Sequence, residues 1–379
     1  MSATNRHALV LGASGVAGWA VVNELLEGYP AKGTFSKVTA AVNRPLKVEE
    51  SGWPSPSDID FRLISGVNLR DGGDLVDSIP DLHSVTHLYY FAYQQNDDPP
   101  TEISTNLTML DGVIKSLAKH AVDFQFVVVP TGTRAYGYYV PGGVFKPPFR
   151  EDMGRLPEPE GSKLFYYAME DYLHKASSGQ PWTWCEVRPD AIIGFTPNGS
   201  TFSLAAHWYN YLSLYAAVEG PGASIPYPGN LTAYKSLFNG ASADIIARFS
   251  IYASLHPEQT GNGEIYNIAD EDRPQSMEHI WPAVAGAFGL KGTPPVENQE
   301  PLLLRPSDYM AVHGHKQPAF SGSQLTKGNW IDDFGSWYTF DRPLALDKIR
   351  AVGFDEQRDA ADAYVKTLKL FQAADNKGK

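Results

Sequence analysis

Short apolar runs and longer segments of helical periodicity alternate along the first half of this chain. The periodic segments predict a helix that ends near residue 26 and two more at 102–120 and 162–176. The apolar runs predict strands at 8–11, 37–43, 60–64, 85–91, 124–129 and 183–187. Because helices between successive strands cover both faces of a parallel sheet, this alternation predicts an α/β fold with a doubly wound parallel sheet.

The pattern changes after Pro189, where helical and aromatic segments become more frequent. Helices are predicted there at 202–218, 242–255 and 357–374, with one further strand at 264–268. We therefore expect a first domain over 1–200, to which 233–270 returns. The other segments, 201–232 and 271–379, are expected to form a smaller, mostly helical lobe.

A glycine-rich loop joins the first predicted strand to the first predicted helix. Its sequence is Gly-Ala-Ser-Gly-Val-Ala-Gly over residues 12–18. Glycines at this spacing allow a tight turn, close approach of a pyrophosphate and close packing of helix on strand, while the helix N-terminus offers N–H groups to the phosphates. The motif predicts a Rossmann-type dinucleotide site that contains Gly12, Ser14, Gly15, Val16 and Gly18.

The end of the second predicted strand carries basic residues and no carboxylate. Asn43 and Arg44 end this strand, and Lys47 follows them. An acidic residue at this position binds the ribose hydroxyls of NAD, whereas an arginine accommodates the 2′-phosphate of NADP. Asn43 and Arg44 are therefore predicted to bind the cofactor, which we expect to be NADP(H).

Three further motifs follow in order along the chain. They are Thr-Gly-Thr-Arg-Ala-Tyr-Gly at 131–137, Phe-Tyr-Tyr-Ala-Met-Glu-Asp at 165–171 and Arg-Pro-Asp-Ala-Ile-Ile-Gly-Phe at 188–195. With the glycine loop, this set resembles the progesterone 5β-reductase/iridoid synthase-like (PRISE-like) family of extended short-chain dehydrogenase/reductases, including its fungal members. The resemblance runs from about His7 to the region 350–354 and covers nearly the whole chain.

The resemblance implies an NADPH-dependent reductase that adds hydride to the β-carbon of an enone or enal. Carried over by motif, the tyrosine that holds or protonates the developing enolate oxygen is Tyr166. The second catalytic residue of the family is a lysine, and Arg134 stands at that position here. The resemblance also places Thr131, Asn68 and Ile192 at the cofactor, with Asn68 near the adenine and Ile192 at the nicotinamide amide.

Tyr166 needs a nearby positive charge to donate a proton or to stabilise an oxyanion, because a phenol has a pKa of about 10. In ordinary short-chain dehydrogenases a lysine four residues after the tyrosine supplies this charge, but Glu170 stands there. Arg134 can supply it without relaying protons, since its own pKa is above about 12. We therefore assign the oxyanion role to Tyr166 and an electrostatic role to Arg134.

Aromatic residues concentrate in and around the predicted helix 202–218. Beside a cofactor loop, they predict an apolar, π-rich pocket for a bulky small molecule of the kind made in secondary metabolism. Phe202, Trp208 and Tyr211 are the candidates from this segment, and Tyr136 is added from the motif at 131–137. Core packing is the alternative interpretation, and we expect it to hold for at least half of these aromatic residues.

The net charge and the cysteine content of the chain limit its partners. The chain has 379 residues and a formal charge of −12, which disfavours nucleic acid because phosphates would meet net repulsion. Cys185 is the only cysteine, and His207, His313 and His315 lack acidic companions at ligand spacing, so we expect no disulfide and no metal site. Glycines interrupt the first apolar stretch and no secretory signal precedes it, so we expect a cytoplasmic protein without a membrane span. The sequence leaves the oligomeric state open, a homodimer included.

Three functions from different classes remain open on sequence alone. The first is an NADPH-dependent reductase of an activated C=C bond or a carbonyl group on a bulky apolar molecule. The second is a non-redox epimerase, dehydratase or cyclase that keeps NADP(H) on the same scaffold, and Arg134 in place of lysine favours it. The third is a dinucleotide sensor without turnover, which Tyr166 and the aromatic segment disfavour.

Overall fold

The computed structural model describes residues 5–296, 305–314 and 330–377; His315, named above, lies outside them. The strands are β1 (His7–Leu11), β2 (Lys37–Val42), β3 (Asp60–Ser65), β4 (His87–Tyr90), β5 (Phe126–Pro130), β6 (Thr183–Pro189), β7 (Ile192–Ile193), β8 (Ser224–Pro226), β9 (Ala241–Ser242), β10 (Glu264–Ile268) and β11 (Lys291–Thr293). The helices are α1 (Val16–Leu26), α2 (Val48–Ser51), α3 (Pro99–His120), α4 (Phe165–Ser177), α5 (Leu204–Glu219), α6 (Leu231–Lys235), α7 (Ala243–Leu255), α8 (Pro257–Thr260), α9 (Met277–Gly286), α10 (Pro306–His313), α11 (Trp330–Ser336), α12 (Asp347–Ala351) and α13 (Ala360–Lys377).

Seven parallel strands form one sheet in the order β10-β6-β5-β4-β1-β2-β3. In register, Leu9 of β1 lies opposite Thr39 of β2 on one side and Leu88 of β4 on the other. The strand order reverses at β1 and β4, which opens a crevice at the carboxyl ends of these strands. This topology confirms the predicted doubly wound sheet of Rossmann type.

Both faces of the sheet are buried, which explains why its strands are continuous apolar runs. Ala8 and Val10 of β1 pack into the core cluster that contains α1 and α7, and these two helices lie against each other. Leu9 and Leu11 point to the opposite face and pack in the cluster that contains α3 and α4. Successive side chains of a strand alternate between faces, so every residue of β1 is enclosed.

Most predicted elements agree with the structure to within about three residues at each end. Helix α3 begins at Pro99 and not at 102, because Asp98 caps it by accepting a hydrogen bond from the backbone N–H of Thr101 at 3.2 Å. The prolines at 99 and 100 fit the first turn, where a backbone N–H has no helical partner. The two-stranded sheets β8–β11 and β7–β9 were not predicted, since strands of two or three residues carry no readable alternation.

The second half of the chain completes the large sheet and packs further helices beside it. In the segment 233–270, α7 packs on α1 and β10 forms the edge of the large sheet beside β6. Helices α5, α9, α10, α11 and α13 pack beside that body through aromatic and aliphatic side chains. None of the helices in the described ranges is both long enough and apolar enough to cross a membrane.

Two buried histidines at the amino ends of β1 and β4 predict acid-sensitive stability. Burial lowers the pKa of both His7 and His87 from 6.5 to about 4. The unfolded chain therefore binds more protons than the folded chain between these values, and stability falls as the pH decreases from 6.5 towards 4. Each histidine is expected to remove about 2 kcal/mol from the free energy of unfolding at about pH 5 relative to neutral pH.

Urea unfolding of the protein and of the His7→Gln and His87→Gln variants, at neutral pH and at about pH 5, measures this loss. Each glutamine variant is expected to lose less stability on acidification than the parent protein. His279→Gln is the control, because His279 is half exposed and its ring pairs with Asp359 at 3.2 Å. An equal acid loss in the parent and in both buried-site variants would contradict the prediction.

Candidate active site

One large cavity of about 880 Å³ lies at the carboxyl ends of the central strands. Its walls come from the loops after β1, β2, β3, β4, β5 and β6, and from residues of α3, α4 and α11. At one end is the glycine loop, and at the other is a group of aromatic side chains. Every residue assigned above to the cofactor or to catalysis lines this cavity, namely Gly12, Ser14, Gly15, Val16, Gly18, Asn43, Arg44, Asn68, Thr131, Arg134, Tyr166 and Ile192.

The glycine loop turns sharply against β4 and then starts α1. Gly12 has φ +78°, and a β-carbon there would lie 2.4 Å from the carbonyl oxygen of Phe91, so only glycine fits. A β-carbon at Gly18 would lie 2.4 Å from the Gly12 oxygen, which explains the third glycine as close packing of helix on turn. Gly15 caps α1 and has no side chain to bond the first helical N–H groups. These groups therefore face the cavity as donors for an anion.

Two arginines line the half of the cavity that contains the glycine loop. Arg44 follows β2 and Arg70 follows β3, and both line the cavity with exposed side chains. Among the described residues, no carboxylate lies within ion-pair distance of either guanidinium; Arg70 instead donates a hydrogen bond to Gln94. Two positive charges without acidic partners fit the phosphate of a bound nucleotide.

Asn43 and Asn68 shape this end of the cavity through hydrogen bonds to the chain itself. The amide of Asn43 donates to the carbonyl oxygen of Val67 at 3.2 Å. Asn68 donates to Asp71 at 2.9 Å and accepts from the backbone N–H of Arg70 at 3.0 Å. Asn68 thus folds the loop that carries Arg70 into the cavity wall, a role that its sequence position did not indicate.

Tyr166 lies at the centre of the cavity, at the start of α4. A β-carbon built on Gly132, just after β5, would lie 3.4 Å from the Tyr166 hydroxyl, so the hydroxyl stands directly beside the end of β5. The ring of Phe165 packs edge to face on the Tyr166 ring, with 4.7 Å between centroids. Burial raises the pKa of Tyr166 to about 12, and the positive charge of Arg134 opposes this rise. The hydroxyl is therefore protonated at neutral pH and can donate a hydrogen bond.

Arg134 approaches the same point from the 3₁₀ segment Thr133–Tyr136. Its side chain is exposed to the cavity, and its guanidinium carbon lies 5.0 Å from the ring centre of Tyr139. Within the part of the chain that the structure describes, Arg134 forms no ion pair with an acid, so its charge acts on the phenol of Tyr166 and on whatever the cavity holds. Tyr166 and Arg134 together form a donor and a cation beside one face of the cavity.

A buried charged cluster lies behind Tyr166. We define it as Glu170 of α4, Glu186 and Arg188 of β6, and Thr131. Arg188 donates from Nε to Glu186 Oε1 at 2.5 Å and from Nη2 to Glu170 Oε1 at 2.9 Å. The hydroxyl of Thr131, which lines the cavity, donates to Glu186 Oε1. Burial, and next the charge of Glu186, raise the pKa of Glu170 to about 7.

The other end of the cavity is aromatic. Phe202, a predicted substrate contact, lies here, 36% exposed, with edge contacts to Tyr93 and Trp330 at 5.8 and 6.1 Å between centroids. The remaining rings that line this end are Tyr138, Tyr139, Phe165, Phe334, Trp337 and Tyr338. Such a wall suits a bulky, largely apolar molecule.

Three predicted substrate contacts are corrected by the structure, since Tyr136, Trp208 and Tyr211 do not line the cavity. Tyr136 is fully buried, and its hydroxyl donates to Asn267 at 2.6 Å. Trp208 is also fully buried, and its ring packs against Trp281 at 5.2 Å. Tyr211 is 1% exposed, and its ring packs edge to face on that of Tyr309 at 5.8 Å between centroids. Helix α5 is enclosed by α10, α11 and α13, so its aromatic face builds core and not pocket.

Sequence reasoning missed Arg70 and most of the aromatic wall. Tyr138 and Tyr139 directly follow the motif at 131–137, and Trp337 and Tyr338 form a similar aromatic pair near the C-terminal end. These pairs meet in space, where the rings of Tyr138 and Tyr338 lie 6.1 Å apart. Adjacency to a motif could have indicated the first pair, but no local signal marks the second.

Comparison with known proteins yields matches that extend over most of the chain. Residues 8–376 match the family described as PRISE-like Rossmann-fold domain. The short chain dehydrogenase ausT of Aspergillus calidoustus is 33% identical over 97% of this chain and 93% of its own length. The 3-oxo-Delta(4,5)-steroid 5-beta-reductase of Arabidopsis thaliana is 29% identical over 75% of this chain and 69% of its own length. The crystal structure of UDP-glucose 4-epimerase from Thermotoga maritima superposes with a TM-score of 0.62 at 15% identity, over 97% of this chain and 99% of that one, which shows a shared fold.

Proposed function

This chain belongs to the PRISE-like Rossmann-fold family and is an oxidoreductase of the short-chain dehydrogenase type, and we propose that it uses NADPH to reduce the C=C bond of an enone or enal on a bulky apolar molecule. The relative from Arabidopsis thaliana is named for the reduction of such a conjugated ketone in a steroid. The observation that carries the proposal is the position of the Tyr166 hydroxyl. It stands where the glycine-loop half of the cavity meets the aromatic half.

The residues that line the glycine-loop half of the cavity fit NADPH. The N–H groups at the start of α1 would hold the pyrophosphate, and Arg44 and Arg70 would hold the 2′-phosphate. Thr131 and Ile192 also line the cavity and would hold the nicotinamide end of the cofactor. When bound, NADPH supplies a hydride, and every other step depends on side chains of this protein.

Tyr166 and Arg134 act on the oxygen of the substrate. Addition of hydride to the β-carbon moves negative charge onto the carbonyl oxygen, which becomes an enolate. The Tyr166 hydroxyl donates a hydrogen bond to this oxygen, and Arg134 lowers the energy of the developing charge. The aromatic wall holds the carbon skeleton and keeps water away from the reacting bond.

The residue four positions after Tyr166 favours C=C reduction over carbonyl reduction. Carbonyl reduction produces an alkoxide, a strong base that requires an acidic phenol beside it, and the usual lysine lowers the pKa of that phenol. Glu170 occupies the position of the usual lysine and turns inward to Arg188, so it adds no positive charge at Tyr166. An enolate is a weaker base than an alkoxide, so a hydrogen bond from a less acidic phenol stabilises it as it forms, before it is protonated.

The proposal is tested by following NADPH absorbance with a panel of aromatic and polycyclic enones and enals. We expect consumption of NADPH only when such a substrate is present, and a product saturated at the α,β bond. Saturated ketones of the same shape are the control, since they carry no C=C bond and should consume much less NADPH. Product formation without NADPH consumption would favour the non-redox alternative, and tight cofactor binding without any product would favour a sensor.

Arg134→Lys tests the electrostatic role of the arginine. The lysine keeps the positive charge beside Tyr166 and adds a group that can relay protons, so we expect NADPH-dependent turnover to be retained or raised. Arg134→Gln is the matched variant without charge, and we expect it to lower kcat by roughly 10-fold or more. Steady-state turnover on one confirmed enone measures both. If kcat falls as much in Arg134→Lys as in Arg134→Gln, the positive charge is not the contribution of Arg134 to turnover.

A further inference from the structure

The buried charged cluster behind Tyr166 has no part in the reaction described so far. Glu186 is fully buried, and Arg188 and Glu170 are nearly so. Two carboxylates share Arg188, while the outer oxygen of Glu170 accepts from Arg155 at 3.0 Å. The Arg155 side chain is 45% exposed. The cluster thus connects the solvent, on the Arg155 side, with Thr131 on the cavity side.

The geometry leaves one acidic oxygen unsatisfied. Glu186 Oε1 accepts from both Arg188 and Thr131. Glu186 Oε2 is buried and has no hydrogen-bond partner among the described residues. A bare anionic oxygen without a partner is costly in such a place, whereas a proton shared with the neighbouring carboxyl removes the cost. Two carboxylates around one buried guanidinium therefore favour the state in which the pair holds one proton.

Tyr166 and Arg134 by themselves provide no source of new protons for repeated turnovers. Tyr166 gives up its proton when the enolate is protonated, and it has to be reloaded before the next turnover. Arg134 cannot reload it, because a guanidinium does not release a proton at neutral pH. Thr131 immediately precedes Gly132, the residue beside the Tyr166 hydroxyl, and its own hydroxyl already bonds to Glu186.

We infer that Glu170 and Glu186 share one proton and that this pair, through the Thr131 hydroxyl, restores the proton that Tyr166 gives to the reduced substrate. The inference rests on the proposed function for its last step. Hydride forms the new C–H bond at the β-carbon, the C=C electron pair moves to the carbonyl oxygen, and the Tyr166 O–H proton passes to the enolate. The phenolate then takes a proton from Thr131, Thr131 takes one from the carboxyl pair, and the pair is reloaded from solvent past Arg155.

Among the described residues, the charged side chains that contact the pair are those of Arg188 and Arg155, and Arg155 also pairs with Asp171 at 2.7 Å. Arg188 of β6 and Arg155 of the loop before α4 stabilise the ionised form. Two phenols face the same cluster from neighbouring elements, Tyr136, whose ring centre lies 5.5 Å from the Arg188 guanidinium carbon, and Tyr166 one turn before Glu170. Burial raises the pKa of both, so they are protonated at neutral pH and add no charge. Burial of Glu170 and the repulsion between the two carboxylates oppose the arginines, so the pair is expected to lose its proton near neutral pH and not in the acid range.

The first experiment observes the shared proton directly. Infrared difference spectra from about pH 5 to about pH 9 are recorded on the protein without substrate, for the parent and for Glu186→Gln and Glu170→Gln. We expect a protonated carboxyl band that disappears near neutral pH in the parent; in either variant the part of this band that comes from the pair should shift to lower pH or be lost, and the part that comes from Asp270 should remain. Asp270→Asn is the matched control, because burial also raises the pKa of Asp270 to about 7 but this residue bonds Ser242 away from the cavity. A spectrum in which Glu170 and Glu186 are both ionised across the range overturns the inference.

The second experiment follows turnover against pH on one enone. In the parent, kcat is expected to fall as the pH rises above neutral, because the pair then lacks its proton. Glu186→Gln removes the negative charge that raises the Glu170 pKa, so the fall should move to lower pH. Thr131→Val should lower kcat by roughly 10- to 100-fold, and Thr131→Ser should restore most of it.

The two experiments separate failure of this inference from failure of the proposed function. If no enone causes the parent to consume NADPH, the proposed function is wrong, and the infrared result alone decides whether the pair holds a proton. If the parent reduces enones with the same pH profile as Glu186→Gln, and Thr131→Val turns over like Thr131→Ser, the relay is overturned while the function stands. In the Asp270→Asn control, the pH profile of kcat should match that of the parent.

Discussion

Tyr166→Phe is expected to lower kcat for enone reduction by roughly 10²- to 10³-fold, because it removes one hydrogen bond that strengthens as charge develops on the substrate oxygen. The ring, its contact with Phe165 and the shape of the cavity are kept. The affinity for NADPH should hardly change, since the hydroxyl acts on the transition state and not on the bound cofactor. Steady-state turnover together with calorimetric titration of NADPH measures both quantities.

Tyr172→Phe is the matched control for this experiment. Tyr172 lies on the same helix, α4, outside the cavity, with its hydroxyl near Asp111. The variant should turn over like the parent. If Tyr166→Phe does so as well, Tyr166 is not the donor, and the cavity hydroxyls of Tyr138 and Tyr139 become the candidates, since the hydroxyl of Tyr93 already donates to Glu102. The hydroxyls of Tyr136 and Tyr167 are already committed to Asn267 and to the Ala135 carbonyl.

Arg44→Ala is expected to weaken NADPH binding by about 1.5–3 kcal/mol, or roughly 10- to 150-fold in Kd, as for the loss of hydrogen bonds to a charged group. NADH lacks the 2′-phosphate, so its affinity should change far less. The expectation depends on the open position of Arg44 in the cavity wall, without an acidic partner in the described part of the chain. Calorimetric titration of both cofactors into parent and variant measures the two changes.

Lys47→Ala is the control for Arg44→Ala. Lys47 is a nearby cation that pairs with Glu50 at 3.3 Å and does not line the cavity. Its removal should leave both affinities almost unchanged. Tighter binding of NADH than of NADPH by the parent would refute the assignment of NADP(H). Equal losses of NADH and NADPH in Arg44→Ala would show that the arginine acts on the shared part of the two cofactors.

The sheet and the glycine loop could be read from the sequence because their causes are local. A run such as 8–11 is apolar at every position because both faces of its strand are covered, and only glycine fits at Gly12. Helix α3 was misplaced by three residues at its start, since the cap at Asp98 was not recognised. The hydrophobic pattern was enough to tell helices from strands, but the residue at which an element begins or ends depended on single hydrogen bonds.

The aromatic end of the cavity could not be read in the same way. Trp208 and Tyr211 were assigned to a pocket because aromatic residues are common in pockets, but α5 is surrounded by other helices and offers no open face. A helix that is apolar on all sides does not reveal which side meets a cavity. Arg70 was missed for a related reason, because the bonds of Asn68 that turn its loop inward join residues whose spacing has no known motif.

The pairing of Arg188 with two glutamates has an evolutionary consequence. A lysine at position 170, as in ordinary short-chain dehydrogenases, would place a second buried cation against Arg188 and leave only Glu186 to balance both. Breaking such a buried pair typically costs about 3–5 kcal/mol, a large part of the stability of most proteins. Descendants of this sequence can therefore reach the lysine arrangement only through coupled changes at 170 and 188. The single substitution Glu170→Lys is therefore expected to be destabilising unless position 188 changes as well, whichever substrate is under selection.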